Sequence, residues 1–238
     1  MNDRTILDIQ GVTKSFRKSK AVDTLDLRIG SGEIYALLGP NGAGKTTTIN
    51  MVLGFIEPSS GTILVDGLNV AENPIKARSR IAYLPEMVAL YPTLTGIENL
   101  HYFALLAGKD LDEPTCRQLL AEAGLQTNAH DRRAGDYSKG MRQKVGVAVA
   151  KAKDASLLLF DEPTSGLDPS ASSEFYAMLR DLAGKGMAIL QTTHDIWRVH
   201  EAATHIGILR AGVLVEEIDP RSTTPADLER IYVNRLAA

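Results

Sequence analysis

The stretch GPNGAGKTT, residues 39–47, restricts what this chain can fold into more than any other segment. A loop of the form G-x-x-x-x-G-K-[ST] works only where a buried strand turns into a helix. Here the apolar run EIYALLG (33–39) leads into it and TTTINMVL (46–53) leads out. Gly42 and Gly44 let backbone N–H groups of the Asn41–Gly42–Ala43–Gly44 turn close on phosphate oxygens, and the start of the helix adds its positive dipole end. Lys45 is expected to reach the terminal phosphates, with Thr46 ligating Mg²⁺ and Thr47 completing the cradle.

A second apolar run, SLLLFDE (156–162), ends in two carboxylates. In a parallel sheet the carboxyl ends of the strands face the ligand. Asp161 is therefore expected to hold Mg²⁺ through water, and Glu162 to orient and polarise an attacking water. No Asn-Lys-x-Asp guanine reader occurs, which disfavours GTP.

The rest of the chain supplies a frame for these two sites. TILDIQGVTKSF (5–16), AVDTLDLRI (21–29) and GTILVDGLNV (61–70) are β-rich, several alternating apolar with polar, and suit an antiparallel sheet with one wet face. GMAILQTTH (186–194) and ATHIGILRAG (203–212) read as further buried strands. Between them, LTGIENLHYFALLAG (94–108) carries Thr95 and Glu98 at capping-box spacing, with Ile97, Leu100, Ala104 and Leu105 on one stripe. DEPTCRQLLAEAGL (112–125) reads as a helix stopped by Gly124. The segment 138–154 reads as another, with Ser138 as N-cap and Met141, Val145, Ala148, Val149 and Ala152 on one face. ADLERIYVNRL (226–236) reads as a tail helix.

Composition excludes several classes. With 44% hydrophobic residues in 238, the chain can bury a core, and a net charge of −3 gives no electrostatic reason to bind nucleic acid or an anionic membrane. The lone Cys116 forms no internal disulfide and, inside a helical pattern, reads as packing. No apolar run approaches the ~20 residues of a membrane helix, and the N-terminus lacks a signal-peptide core. His101, His130, His200 and His205 lack ligand partners in the sequence.

The order and spacing of GPNGAGKTT, YSKGMRQK (137–144), LLLFDEPTSGLDP (157–169) and TTHD (192–195) resemble the ATP-binding cassette (ABC) family over nearly the whole chain. The resemblance implies an α/β fold: a P-loop NTPase, RecA-like core with an N-terminal antiparallel β subdomain and an inserted α-helical subdomain. It implies one ABC ATPase domain over 1–238, with β subdomain and core in 1–87 and 153–215, the helical insert in 88–152 and a tail helix in 216–238. It also implies Mg²⁺-dependent ATP hydrolysis by a subunit that dimerises head to tail, as a homodimer or with a second cassette.

In such a dimer Ser138 and Gly140 serve the partner's nucleotide, which the anion-ready start of their helix suits physically. By the same resemblance Asp168 communicates across the dimer, His194 contacts the γ-phosphate, and Phe16, with Val22 after it, stacks on adenine. Two motifs depart from the family pattern. YSKGM stands for LSGGQ, so Lys139 replaces glycine and Met141 glutamine; and YLPE puts Glu86 where a glutamine is usual. Glu86 still offers an acceptor oxygen to Mg²⁺ or water. The implied partner is an integral membrane permease, with the chain on the cytoplasmic face and residues 83–96 plus the insert forming the receiving cleft. YLPE and the tail resemble bacterial exporter cassettes, and residues 83–96 and 131–144 resemble the cassette of copper-site maturation in nitrous oxide reductase. The alternative is a soluble cassette ATPase acting on a partner that is not a transporter.

Overall fold

The computed structural model describes residues 4–17 and 19–237; the ends of the 1–238 span, residues 1–3 and 238, lie outside them. The chain opens with β1 (Thr5–Phe16), β2 (Ser19–Gly30) and β3 (Ile34–Leu38), then α1 (Lys45–Val52). Next come β4 (Ser60–Val65), β5 (Leu68–Asn69), α2 (Pro74–Ser79) and β6 (Ile81–Leu84). Three helices follow: α3 (Gly96–Leu106), α4 (Glu113–Glu122) and α5 (Lys139–Ala152). The core resumes with β7 (Leu157–Asp161), α6 (Pro169–Gly184), β8 (Ala188–Thr193), α7 (Ile196–Ala202), β9 (His205–Arg210) and β10 (Val213–Ile218). The tail helix α8 (Pro225–Ala237) begins only after the sheet has run to Ile218.

Two sheets result. β2, β1, β4 and β5 form an antiparallel sheet in that order, and β10, β9, β3, β8, β7 and β6 form a second, parallel except for the β9–β10 pair. The two kinds of strand differ in sequence for a physical reason. β1 turns one face to the core, so Leu7 and Ile9 are buried while Gln10, the next residue along, is exposed. β3 and β7 are covered on both faces, and every residue from Leu157 to Phe160 is fully buried. Each such side chain contributes about 1.5–3 kcal/mol of transfer free energy.

The helical insert has its own cluster. Leu100, Ala104, Cys116, Leu120, Val145 and Ala148 pack together, so Cys116 is packing as expected. Thr95 and Glu98 complete a reciprocal capping box at α3. Leu105 departs from expectation: it is 47% exposed, and Asn99 takes the buried place instead. Its amide donates to the carbonyls of Tyr91, Leu94 and Thr95 and accepts from Tyr91 N–H, tying the loop after β6 to the helix that follows it. Gly124 closes α4 with φ +79°, a left-handed turn that glycine adopts without strain. The long helix α6, with Phe175, Tyr176, Leu179 and Leu182 buried, was not among the elements expected from sequence.

Candidate functional site

The phosphate loop is wedged rather than merely flexible. Gly44, the residue before α1, has φ +110°, and a Cβ there would lie 2.4 Å from the Ala21 carbonyl oxygen. The turn between β9 and β10 clamps the loop from the other side, where Gly212 N–H donates to the Ala43 carbonyl at 2.9 Å. No side chain caps the start of α1. The N–H groups of its first turn are therefore free to bind an anion. Asn41 and Gly42 are exposed, while Ala43 is buried.

Lys45 is 7% exposed, and its ammonium donates to the carbonyls of Gly39 at 2.5 Å and Pro40 at 3.2 Å. The two acids at the end of β7 face it. Glu162 Oε1 lies 3.9 Å from Lys45 Nζ, and Glu162 Oε2 lies 2.8 Å from His194 Nδ1, so one carboxylate bridges loop and histidine. Glu162 adopts φ +47°, a left-handed conformation that costs a non-glycine residue about 1 kcal/mol. Its N–H is held by the Thr192 carbonyl at 3.0 Å, so β8 anchors the turn that aims the carboxylate.

Asp161 sits on the other side. Its Oδ2 lies 3.4 Å from Thr46 Oγ1, and its Oδ1 accepts from Thr192 Oγ1 at 2.5 Å. A hydroxyl and a carboxylate are hard oxygen donors, suited to Mg²⁺ that keeps phosphate and water ligands. Burial and the nearby Asp161 charge push the Tyr83 phenol above its usual value, and burial pushes Tyr176 up to about 12. Both phenols therefore stay neutral beside the acids.

Other expected residues are placed differently. The Glu86 carboxylate, on the strand end that leaves the sheet beside Asp161, lies 3.8 Å from Lys139 Nζ. Val22 has no exposed surface; its Cγ2 lies beneath Gly44, so it supports the loop instead of meeting a base. Phe16, at the end of β1, exposes 44% of its surface, with Lys14 Nζ 5.2 Å from its ring centre. Asp168 caps α6, accepting from the N–H groups of Ser170 and Ala171 at 2.9 Å.

Ser138 caps α5 by accepting from Met141 N–H at 3.3 Å. With Gly140 it lines a cavity of 130 Å³ walled by Lys144, Ala171, Glu174 and Met178, and no phosphate-loop residue takes part. The structure thus brings Lys45, Thr46, Asp161, Glu162 and His194 together and leaves Ser138 and Gly140 apart from them. Gln143, not expected from sequence, is buried and donates from Nε2 to the Pro163 carbonyl, fastening α5 to the residue after Glu162. It lies opposite the expected stripe, in line with the buried Val147 and Ala150, so the advance sign was a second row of small and apolar residues.

A family model described as "ABC transporter" matches residues 22–165. A Nod factor export ATP-binding protein I of Cupriavidus metallidurans is 36% identical over 237 residues, covering 97% of this chain and 78% of that one. A bacitracin transport ATP-binding protein of Bacillus licheniformis is 37% identical over 215 residues, covering 90% and 70%. A solved ATP-binding subunit of an ABC transporter superposes with a TM-score of 0.81 at 29% identity, over 96% of this chain and 100% of that one. A cassette solved as a dimer with ADP and Pi shares the fold, with a TM-score of 0.80 at 24% identity, over 91% and 99%.

Proposed function

The chain belongs to the ABC transporter family as an ATP-hydrolysing, nucleotide-binding subunit, and from that premise we propose that two such subunits close head to tail around ATP and drive a separate, membrane-spanning exporter. Lys45 and the free N–H groups of α1 bind the β- and γ-phosphates. Thr46 and Asp161 hold Mg²⁺, which supplies neutralisation of phosphoryl charge when bound. Glu162 orients the attacking water and accepts its proton, and His194, whose Nδ1 lies 2.8 Å from that carboxylate, keeps it turned toward the γ-phosphate. Phe16 offers its exposed face to the adenine. Ser138 and Gly140 complete the partner's site, with Asp168 at the start of α6 beside it.

The observation that carries the permease reading is an apolar groove of 630 Å³ between the end of β6 and the insert, lined in part by Tyr83, Pro85, Val88, Phe103 and Leu106. Met87 and Leu106 are 73% and 69% exposed. No described helix is long and apolar enough to cross a membrane. An apolar helix end from a permease fits such a groove, and it would hold the chain at the cytoplasmic face. The segments at 83–96 and 131–144, similar to the copper-maturation cassette, name the permease class to try first.

A single engineered thiol tests this, because the native Cys116 is buried. With a candidate permease co-expressed, Leu106→Cys should cross-link to it, and Leu106→Glu should release the chain from the membrane fraction. Undiminished membrane association of Leu106→Glu would overturn the groove as the docking site.

A further inference from the structure

Two side chains meet where the sequence departs from its family pattern. Glu86 lies two residues beyond β6, and Lys139 is the first residue of α5. Glu86 Oε1 and Lys139 Nζ are 3.8 Å apart, and the same Nζ donates to the Ser165 carbonyl. The lysine side chain is 24% exposed and the glutamate 54%, so the lysine is half-sheltered while the glutamate faces solvent.

Each substitution alone works against its surroundings. A cation in the first turn of a helix opposes the helix dipole. An added carboxylate beside the nucleotide opposes the phosphate charge that Lys45 and α1 attract. Its position follows from register: Leu84 pairs with Phe160, so Pro85 and Glu86 leave the sheet alongside Asp161 and Glu162. Together the two charges cancel, and the local sum returns to that of the uncharged glutamine and glycine they replace.

We propose that Glu86 and Lys139 act as one electroneutral positioning pair, which ties the strand end beside the nucleotide to the start of α5. The pair rests on the ATPase reading above. It also spans the two functional surfaces, since Pro85 and Val88 line the groove and Ser138 precedes Lys139. Through it, the segment that meets a permease and the segment that meets a partner's phosphate share one contact.

A double-mutant cycle on full-length protein tests the pair, with ATP turnover measured for wild type, Glu86→Gln, Lys139→Gly and the double variant. Lys139→Gly leaves an uncompensated carboxylate and should raise KM for ATP. Its effect on kcat/KM should be about threefold to fivefold smaller when Glu86 is already glutamine, and that coupling should shrink as salt is raised. A role in folding alone would lower the melting temperature without salt-dependent coupling in KM. Effects that multiply independently, to within about twofold, would overturn the pair. Wild-type protein that failed to hydrolyse ATP, or Lys45→Ala that hydrolysed it normally, would instead undo the ATPase reading.

Discussion

The chain has two helix starts ready for an anion, at α1 and at α5, and they are built in opposite ways. At α1 no side chain caps the helix, the loop is clamped by β2 and by the β9–β10 turn, and Lys45, Asp161, Glu162 and His194 crowd around it. At α5 the cap is Ser138, the surroundings are a small cavity, and the acids nearby, Glu174 on the cavity wall and Glu86 at Lys139, each face a lysine. The first start holds the parts for binding and for proton transfer. The second offers its donors with both neighbouring acids paired to lysines. A region with donors and no chemistry of its own makes sense as half of a site whose other half lies on another chain.

The largest effect should come from damage to the equipped end. Lys45→Ala removes the ammonium that offsets phosphate charge, and hydrolysis by the purified protein should fall by at least about a hundredfold. Normal turnover would erase the contrast between the two ends. Next comes damage to the donor end, read in a chain that cannot finish hydrolysis. Glu162→Gln should bind ATP, hydrolyse it far more slowly and become an ATP-dependent dimer by light scattering. Adding Ser138→Arg should abolish that dimer while nucleotide binding persists; an undiminished dimer would show that α5 does not face a partner's phosphate.

The smallest effect concerns the far end of α5. Lys153, just past the helix, donates to the carbonyls of Arg78 at 2.7 Å and Ile81 at 2.5 Å, and burial lowers the pKa of its ammonium below the usual lysine range. In the window between that lowered native value and the ordinary one, the unfolded chain binds more protons than the folded chain. Stability contributed here therefore rises with pH across the window. Urea melts at pH values rising toward the ordinary lysine range should show this rise, and Lys153→Met should flatten it. A pH profile identical in the variant would mean that the helix end is anchored by packing alone.

Much of the equipped end was legible in the sequence because its parts are contiguous. Loop, Lys45 and Thr46 fall within one short stretch, and Asp161 and Glu162 close an unbroken apolar run. What escaped was whatever depended on partners far along the chain. Nothing near Glu86 announces that its carboxylate turns to Lys139, and nothing near Asn99 announces three carbonyls waiting for its amide. The family resemblance places Val22 with Phe16 at the base, yet the strand's alternation sends it inward beneath Gly44. Helix α6 was a missed signal of another kind. Asp168 and Pro169 form a local start, and Phe175, Tyr176, Leu179 and Leu182 keep helical spacing, but three serines in the first turns mask the pattern.

The distance between the Ser138 cavity and the phosphate loop also bears on how defects combine within a cell. A chain spoiled at Lys45 still carries a sound α5 start, and a chain spoiled at Ser138 still carries a sound loop. Under the head-to-tail pairing proposed above, two copies of the same faulty chain give both nucleotide positions the fault. When the two different faulty chains pair, one position collects both injuries and the other collects none. Two alleles that are each inactive can in this way restore one whole site between them, and a population of mixed pairs recovers a share of function set by how often unlike chains meet.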